Sequence, residues 1–330
     1  MQAIRYHRPG KIELEELPVP APAEDEVLIS VTHAGICGTD LHIIAEESPA
    51  AAEVVLGHEF AGTVVSTGDW VQHVKAGDRV AVDPNNYCGK CQYCRKGQVH
   101  FCKNLHPLGV FRDGGWAQYC CAPDRQVYLL PPEVPLAWGA LGEPLSCILH
   151  GWDRLKPIAA DSKILIIGSG IVGLLWGLIL QKMNQRDFLI SEPNENRREL
   201  AENLGFTTIR PGQLSANTNQ GFDVIIDCSG SPLAIHSAIQ YINPLGKILF
   251  FGVCPEDSRM EIEPFQVFKK ELTLIGSVIN PFTFSRALEF IPHIMQPIEK
   301  LGVRFFKLSQ YREAIAVARA GKAAKVMFTP

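Results

Sequence analysis

No stretch of this 330-residue chain is both long and apolar enough to span a bilayer. The longest apolar run, Ile164–Leu180, holds seventeen residues, four of them glycine. A membrane helix needs about twenty. The run therefore predicts a buried strand followed by a buried helix, and no membrane partner. Strong charge is also missing. The net charge is -4, and no clustered basic face offers itself to nucleic acid. The opening residues, MQAIRYHRPGKIELEEL, lack a basic segment leading into an apolar one. That reads as no secretion signal and predicts a cytoplasmic location. In a reducing compartment stable disulfides are disfavoured, so spaced cysteines point to metal ligands or reactive thiols. Repeats and low-complexity segments are absent as well.

The chain does have ordinary globular composition, 46% apolar and 20% charged, at a length that predicts two domains. Residues 1–144 are rich in short alternating runs separated by turns: KIELEELPV, EVLISVTHAG, AGTVVSTG, DRVAVDP, AQYCCAP and QVYLLP. These predict a β domain. From residue 145 to 280 the texture changes. KILIIG, FLISE, DVIIDCSG, KILFFGV and LTLIGSV read as strands, and helical runs such as GIVGLLWGLILQKMNQ lie among them. Such alternation predicts an α/β domain with a parallel sheet. Residues 281–330 read as helical, end in the short strand KVMFTP, and are expected to complete the first domain.

IIGSGIVG places Gly168, Gly170 and Gly173 in the G-x-G-x-x-G pattern, after an apolar strand and at the start of a helix. That context is what a dinucleotide site requires. The first glycine makes the turn, the second lets a pyrophosphate reach the backbone, and the third lets helix and strand pack closely. Ile171 and Val172 lie in the same turn. Glu192 ends the next strand, nineteen residues past Gly173, where an acid bonds ribose hydroxyls and repels a 2′-phosphate. NAD is favoured over NADP, with Arg197–Arg198 as the competing signal.

CGKCQYCRKGQVHFC sets Cys88, Cys91, Cys94 and Cys102 within fifteen residues. Four thiolates fill a tetrahedral zinc shell and leave no open position, so such a site stabilises rather than catalyses. Thiols this close are also open to oxidation. A catalytic metal would need a second site with three protein ligands. Cys37, His58 and Glu59 are candidates, as are Glu143, Cys147 and His150. Spacing does not show which of these meet.

Taken together, CGTDLH (37–42), GHEFAG (57–62), GDRVAVDP (77–84), the four-cysteine loop, DGGWAQY (113–119), GEPLSC (142–147), the glycine fingerprint and KVMFTP resemble the zinc-dependent medium-chain alcohol dehydrogenases, in their polyol (sorbitol-like) branch. The resemblance covers essentially the whole chain. It implies a GroES-like β-barrel catalytic domain joined to a Rossmann doubly wound domain, with the active site in the cleft between them. It implies two zinc ions per chain. Cys37, His58 and Glu59 match the catalytic ligands, and Glu143 matches a glutamate that approaches that zinc or holds its water. Cys88, Cys91, Cys94 and Cys102 match the structural site. Cys147 does not fit the branch pattern. Thr39 and His42 match the proton relay, and Gly252, Val253 and Val278 are expected beside the nicotinamide. The implied reaction is hydride transfer from a secondary alcohol, a polyol or sugar alcohol, to NAD. Threonine 3-dehydrogenase and sugar dehydrogenase are the alternatives, and a non-catalytic nucleotide-binding protein is the outside one. A homodimer or homotetramer is expected, by sheet-edge extension near KILFFGV.

Two departures stand out. The arginine that binds polyol near GSVINPF is missing between Gly276 and Phe284. The chain is also slightly short, with the loss placed around RPGQLSANTNQGFD. His7, His73, His106, His236 and His293 show no partner pattern and read as structural or exposed, and Cys120, Cys121, Cys228 and Cys254 read as packing residues.

Overall fold

The structure, a computed structural model, describes residues 1–214 and 221–330. It comprises two compact units. One is Met1–Ser146 with Ile279–Met295 and Val303–Pro330. The other is Cys147–Val278 with Gln296–Gly302.

In the first unit the short alternating runs become strands. A seven-stranded sheet runs in the order Val303–Phe306, Lys325–Phe328, Glu26–Gly35, Phe60–Thr67, Arg79–Val82 and Val127–Leu129, with Tyr119–Pro123 also paired to Glu26–Gly35. Every pairing in it is antiparallel except that of Val303–Phe306 with Lys325–Phe328. A smaller antiparallel sheet joins Lys11–Glu16, Gln2–His7 and Val54–Val55. Alternation puts one face of each sheet inward, where Ile4, Tyr6, Ile29, Phe60, Trp116 and Phe328 form one core. Burying each such side chain stabilises the unit by roughly 1.5–3 kcal/mol before conformational entropy is counted. Trp116 meets Phe328 edge-on, with ring centroids 5.1 Å apart.

The tail is less helical than its sequence suggests. Val303–Phe306 is a further strand, because its parallel partner Lys325–Phe328 supplies the hydrogen bonds that a helix would otherwise provide internally. Lys325–Phe328 pairs on its other side with Glu26–Gly35, in the register Met327↔Gly35 and Phe328↔Ala34. That register sets the end of the chain beside the segment leading to Cys37.

The second unit is a six-stranded parallel sheet. By sequence the strands are Ile164–Ile167, Phe188–Ser191, Thr208–Ile209, Phe222–Asp227, Ile242–Phe250 and Thr273–Gly276. In space they run third, second, first, fourth, fifth, sixth. This is the doubly wound Rossmann order, whose direction reverses between the first and fourth strands. Helices Ile171–Lys182, Glu195–Asn203, Pro232–Ile239 and Pro264–Lys270 lie in the crossovers. The expected edge near KILFFGV is corrected: Ile242–Phe250 has a partner on each side, and the sheet's two edges are Thr273–Gly276 and Thr208–Ile209. Residues 215–220 of the segment where the chain is expected to be short lie outside the described residues. No helix among the described residues is long and apolar enough to cross a membrane.

Candidate metal and dinucleotide sites

Strand Glu26–Gly35 ends two residues before Cys37, and strand Phe60–Thr67 begins directly after Glu59. The two strands pair antiparallel, and the Gly35 N–H donates to the Glu59 carbonyl at 2.7 Å. This pairing carries Cys37, His58 and Glu59 together. Their donor atoms lie within 4.8 Å of one another. His58 and Glu59 are buried and Cys37 is half-buried. One soft sulfur, one imidazole and one carboxylate form a donor set that zinc accepts with a position to spare, so the residues fit a catalytic metal. Glu143 is buried at the start of helix Gly142–Leu155, outside this group of three. Cys147 and His150 follow on the same helix and join no donor cluster among the described residues.

Two charged residues that no sequence motif marks as ligands, Asp40 and Lys325, lie against the trio. Asp40 is fully buried. One of its oxygens accepts the Cys37 backbone N–H at 2.8 Å and the other lies 3.3 Å from His58 Nδ1. Burial alone would lower the His58 imidazole, but Asp40 and Cys37 outweigh it and hold the ring well above its usual range. Lys325 is 2% exposed and its ammonium pairs with the Glu59 carboxylate. Burial opposes its charge, yet Glu59 and Cys37 raise its pKa overall. Cys37 to Asp40 is a capping-box spacing and was legible in principle. Nothing local marks Lys325, because sheet register alone brings it here. Thr39 Oγ1 lies 3.8 Å from Cys37 Sγ. His42, one turn further along helix Gly38–Ile44, bonds Glu47 through Nδ1 at 2.6 Å.

The four-cysteine loop also closes on itself. The donor atoms of Cys88, Cys91, Cys94 and Cys102 are all within 4.8 Å of one another. Cys91 and Cys94 sulfurs are 3.6 Å apart and all four are free thiols. Backbone N–H groups of Lys90 and Cys91 aim at Cys88, and those of Cys94 and Lys103 aim at Cys91. Both thiols fall below their usual range, Cys91 to about 6. Burial and the neighbouring thiols push Cys94 the other way, up to about 12, so the loop mixes thiolate-favouring and thiol-favouring positions. Four sulfurs clustered this closely suit a closed tetrahedral zinc site.

In the second unit Gly168 turns the chain at φ +97°, and a Cβ on Gly173 would sit 2.0 Å from the Gly168 carbonyl oxygen. Helix Ile171–Lys182 starts at Gly170 with no side-chain cap, and space is open above Gly170. An uncapped N-terminus at the topological switch point suits a pyrophosphate. Ile171 and Val172 form its first turn. Glu192 is buried: its carboxylate accepts the Ser169 N–H and the Asn194 N–H, both at 2.9 Å. The acid is thus fastened to the glycine turn. Arg198 is spent on the Glu192 and Pro193 carbonyls, while Arg197 is half-buried and gives its carbonyl to Ser169 Oγ. Gly252 and Val253 follow strand Ile242–Phe250, and Val278 follows Thr273–Gly276, with Val253 and Val278 exposed. Asp227, not singled out from sequence, accepts from Ser229 N–H and Oγ–H and from the Gly230 N–H at these strand ends.

His7, expected to be structural or exposed, is half-buried, and its ring nitrogens meet Glu15 at 2.5 Å and Glu53 at 2.8 Å. The adjacent strands place these carboxylates, which no local motif could show. Cys120 is buried in the core as expected, and Cys121, Cys228 and Cys254 are half-buried.

Residues 23–132 match the family of the alcohol dehydrogenase GroES-like domain, and residues 172–292 match that of the zinc-binding dehydrogenases. The chain is 34% identical to the L-threonine 3-dehydrogenase of Pyrococcus horikoshii, covering 99% of this chain and 98% of the relative. It is 33% identical to the D-altritol 5-dehydrogenase of Agrobacterium fabrum over 84% of each. A solved structure described as a zinc-binding dehydrogenase from Sinorhizobium meliloti 1021, bound to NADP, superposes with a TM-score of 0.93. It is 34% identical and covers 100% of this chain and 99% of that one.

Proposed function

Since this chain belongs to the zinc-dependent medium-chain alcohol dehydrogenase family, we propose that it oxidises a polyol or sugar alcohol at a secondary hydroxyl, giving the ketone and reduced NAD. The observation that carries this reading is the convergence of Cys37, His58 and Glu59 in one buried cluster. Zinc bound there would supply Lewis acidity that lowers the pKa of a substrate hydroxyl, and NAD would accept the hydride. Glu143, at the start of helix Gly142–Leu155, would serve as the glutamate that holds the water or approaches the metal. Thr39, beside Cys37, relays the hydroxyl proton, accepting it as its own hydroxyl proton leaves. His42, half-exposed and oriented by Glu47, passes it towards solvent.

Cys88, Cys91, Cys94 and Cys102 hold a second, structural zinc that cross-links a loop with little core of its own. NAD is preferred to NADP because Glu192 puts a fixed carboxylate at the end of the second strand. Gly168, Gly170, Ile171, Val172 and Gly173 cradle the pyrophosphate. Arg197 borders the ribose, and Gly252, Val253 and Val278 border the nicotinamide. Edge strand Thr273–Gly276, with Leu274 40% exposed and Phe268 78% exposed on the preceding helix, supports pairing with a second copy. The ten free thiols suit a reducing, cytoplasmic setting.

Threonine oxidation is the second reading, favoured by the full-length likeness to L-threonine 3-dehydrogenases. NADH appearance with zinc-loaded protein against polyols, threonine, simple secondary alcohols and aldoses separates the two. A polyol well above threonine supports the first. Threonine well above every polyol replaces it with the second. Silence with every substrate, from protein carrying two zinc ions, overturns both.

A further inference from the structure

Lys325 has no part in the reaction just described, yet it is among the most deeply buried charges in the first unit. It is 2% exposed and Glu59 is 1% exposed. Burying an ammonium costs several kcal/mol unless it is well paired, and the partner it has found is a candidate metal donor. The groups acting on it electrostatically are Glu59, Cys37 and Asp40, all anionic when ionised. The backbone is cleared for this pair: a Cβ on Gly35 would sit 2.1 Å from Glu59 Oε2 and 2.8 Å from Lys325 Cε. Gly35 and Lys325 come from adjacent strands, brought together by the Met327↔Gly35 register. The arrangement is therefore built into the sheet rather than left to a flexible side chain.

Charge explains what the pair does. With Cys37 as thiolate, the pocket carries three negative groups: Cys37, Asp40 and Glu59. A divalent cation answers two of these charges and Lys325 answers the third. We propose that Lys325 is a positioning residue that holds Glu59 in place and shares its charge, so that it sets the metal affinity of the Cys37–His58–Glu59 site from outside the donor set. This rests on reading that site as the metal site. The ammonium fixes the Glu59 carboxylate before metal arrives, and it also draws on the negative charge the metal would use. The site is ordered when empty and neutral when filled, and Glu59 is its most readily displaced donor.

The test uses full-length Lys325→Met, Lys325→Arg and the double variant Glu59→Gln with Lys325→Met. Zinc affinity is read by chelator competition, and melting temperature is read with and without zinc. The relevant zinc is first identified in the wild type as the one lost in Cys37→Ser. If no such zinc exists, the metal reading itself has failed, and this is known before any lysine variant is made.

Lys325→Met should lower the melting temperature of the zinc-free protein, because Glu59 is left buried and unpaired. It should bind the zinc at least tenfold more tightly, and so gain more melting temperature from zinc than the wild type does. Lys325→Arg should stay near wild type. The double variant should recover zinc-free stability relative to Lys325→Met but bind zinc at least tenfold more weakly. An unchanged or weaker affinity in Lys325→Met, with the same stability loss with and without zinc, overturns the proposal and leaves a structural ion pair. If zinc-free Lys325→Met does not fold, its zinc-loaded form is compared by the rate of zinc loss to a chelator. Slower loss supports the proposal, and equal or faster loss overturns it.

Discussion

The Asp40 carboxylate lies 3.3 Å from His58 Nδ1, and both side chains are buried. A carboxylate against one ring nitrogen fixes the orientation of the imidazole and presents the other nitrogen as a donor. Asp40 does this while its second oxygen holds the Cys37 N–H, so one side chain aligns two of the three donors. Asp40→Asn keeps the shape and an acceptor for Cys37 but removes the charge. Zinc affinity at this site should fall about 10–100-fold, with the zinc-free melting temperature little changed. A zinc titration that matches wild type would show that Asp40 serves the helix cap alone.

The two cysteine clusters should separate in their consequences. Cys37→Ser should remove one zinc per chain and abolish alcohol oxidation, with the fold retained, since Cys37 sits at a helix start and is only half-buried. Cys91→Ser should also remove one zinc, but it should cost several degrees of melting temperature, because a closed zinc site contributes directly to folding. Metal content by mass spectrometry and thermal melting read both. Equal stability losses would mean that the assignment of working and structural sites is mistaken.

At the nucleotide site, Glu192→Gln retains hydrogen-bonding capacity next to Ser169 and Asn194 but gives up the carboxylate charge. NAD should bind about tenfold more weakly, while NADP should hold or improve because a 2′-phosphate is no longer repelled. Dissociation constants for both cofactors settle it. An unchanged ratio would move the discriminating role to Arg197.

How much of this was legible in the sequence follows the range of the interactions. The glycine turn, the acid at Glu192 and the four-cysteine loop are local, and each could be named from spacing. The strands of both units were visible as alternating or buried apolar runs. Lys325 was hidden because a two-residue register, Met327↔Gly35 and Phe328↔Ala34, brings it to Glu59 from the far end of the chain. The sheet edge is hidden from the sequence for a related reason. Ile242–Phe250 and Thr273–Gly276 both read as apolar strands, and only the spatial order shows which one lacks a neighbour.

His7 provides a test of the same long-range kind on the first sheet. Its ring lies between Glu15, on the paired strand, and Glu53, just before Val54–Val55. The hydrogen bond to Glu53 is the largest influence on it. Partial burial opposes that effect, Glu15 adds to it, and the net result is a pKa above 6.5. A folded-state pKa raised above its unfolded value gives stability that is fully present below about 6.5 and is lost as pH rises through the folded value. His7→Gln should therefore melt below wild type at pH 5.5 and converge with it by pH 9. The difference should be modest, because the group is near solvent and salt screens it. Melting curves of both proteins across that range decide the matter: a deficit of the same size at both ends would mean that His7 acts by packing rather than by charge.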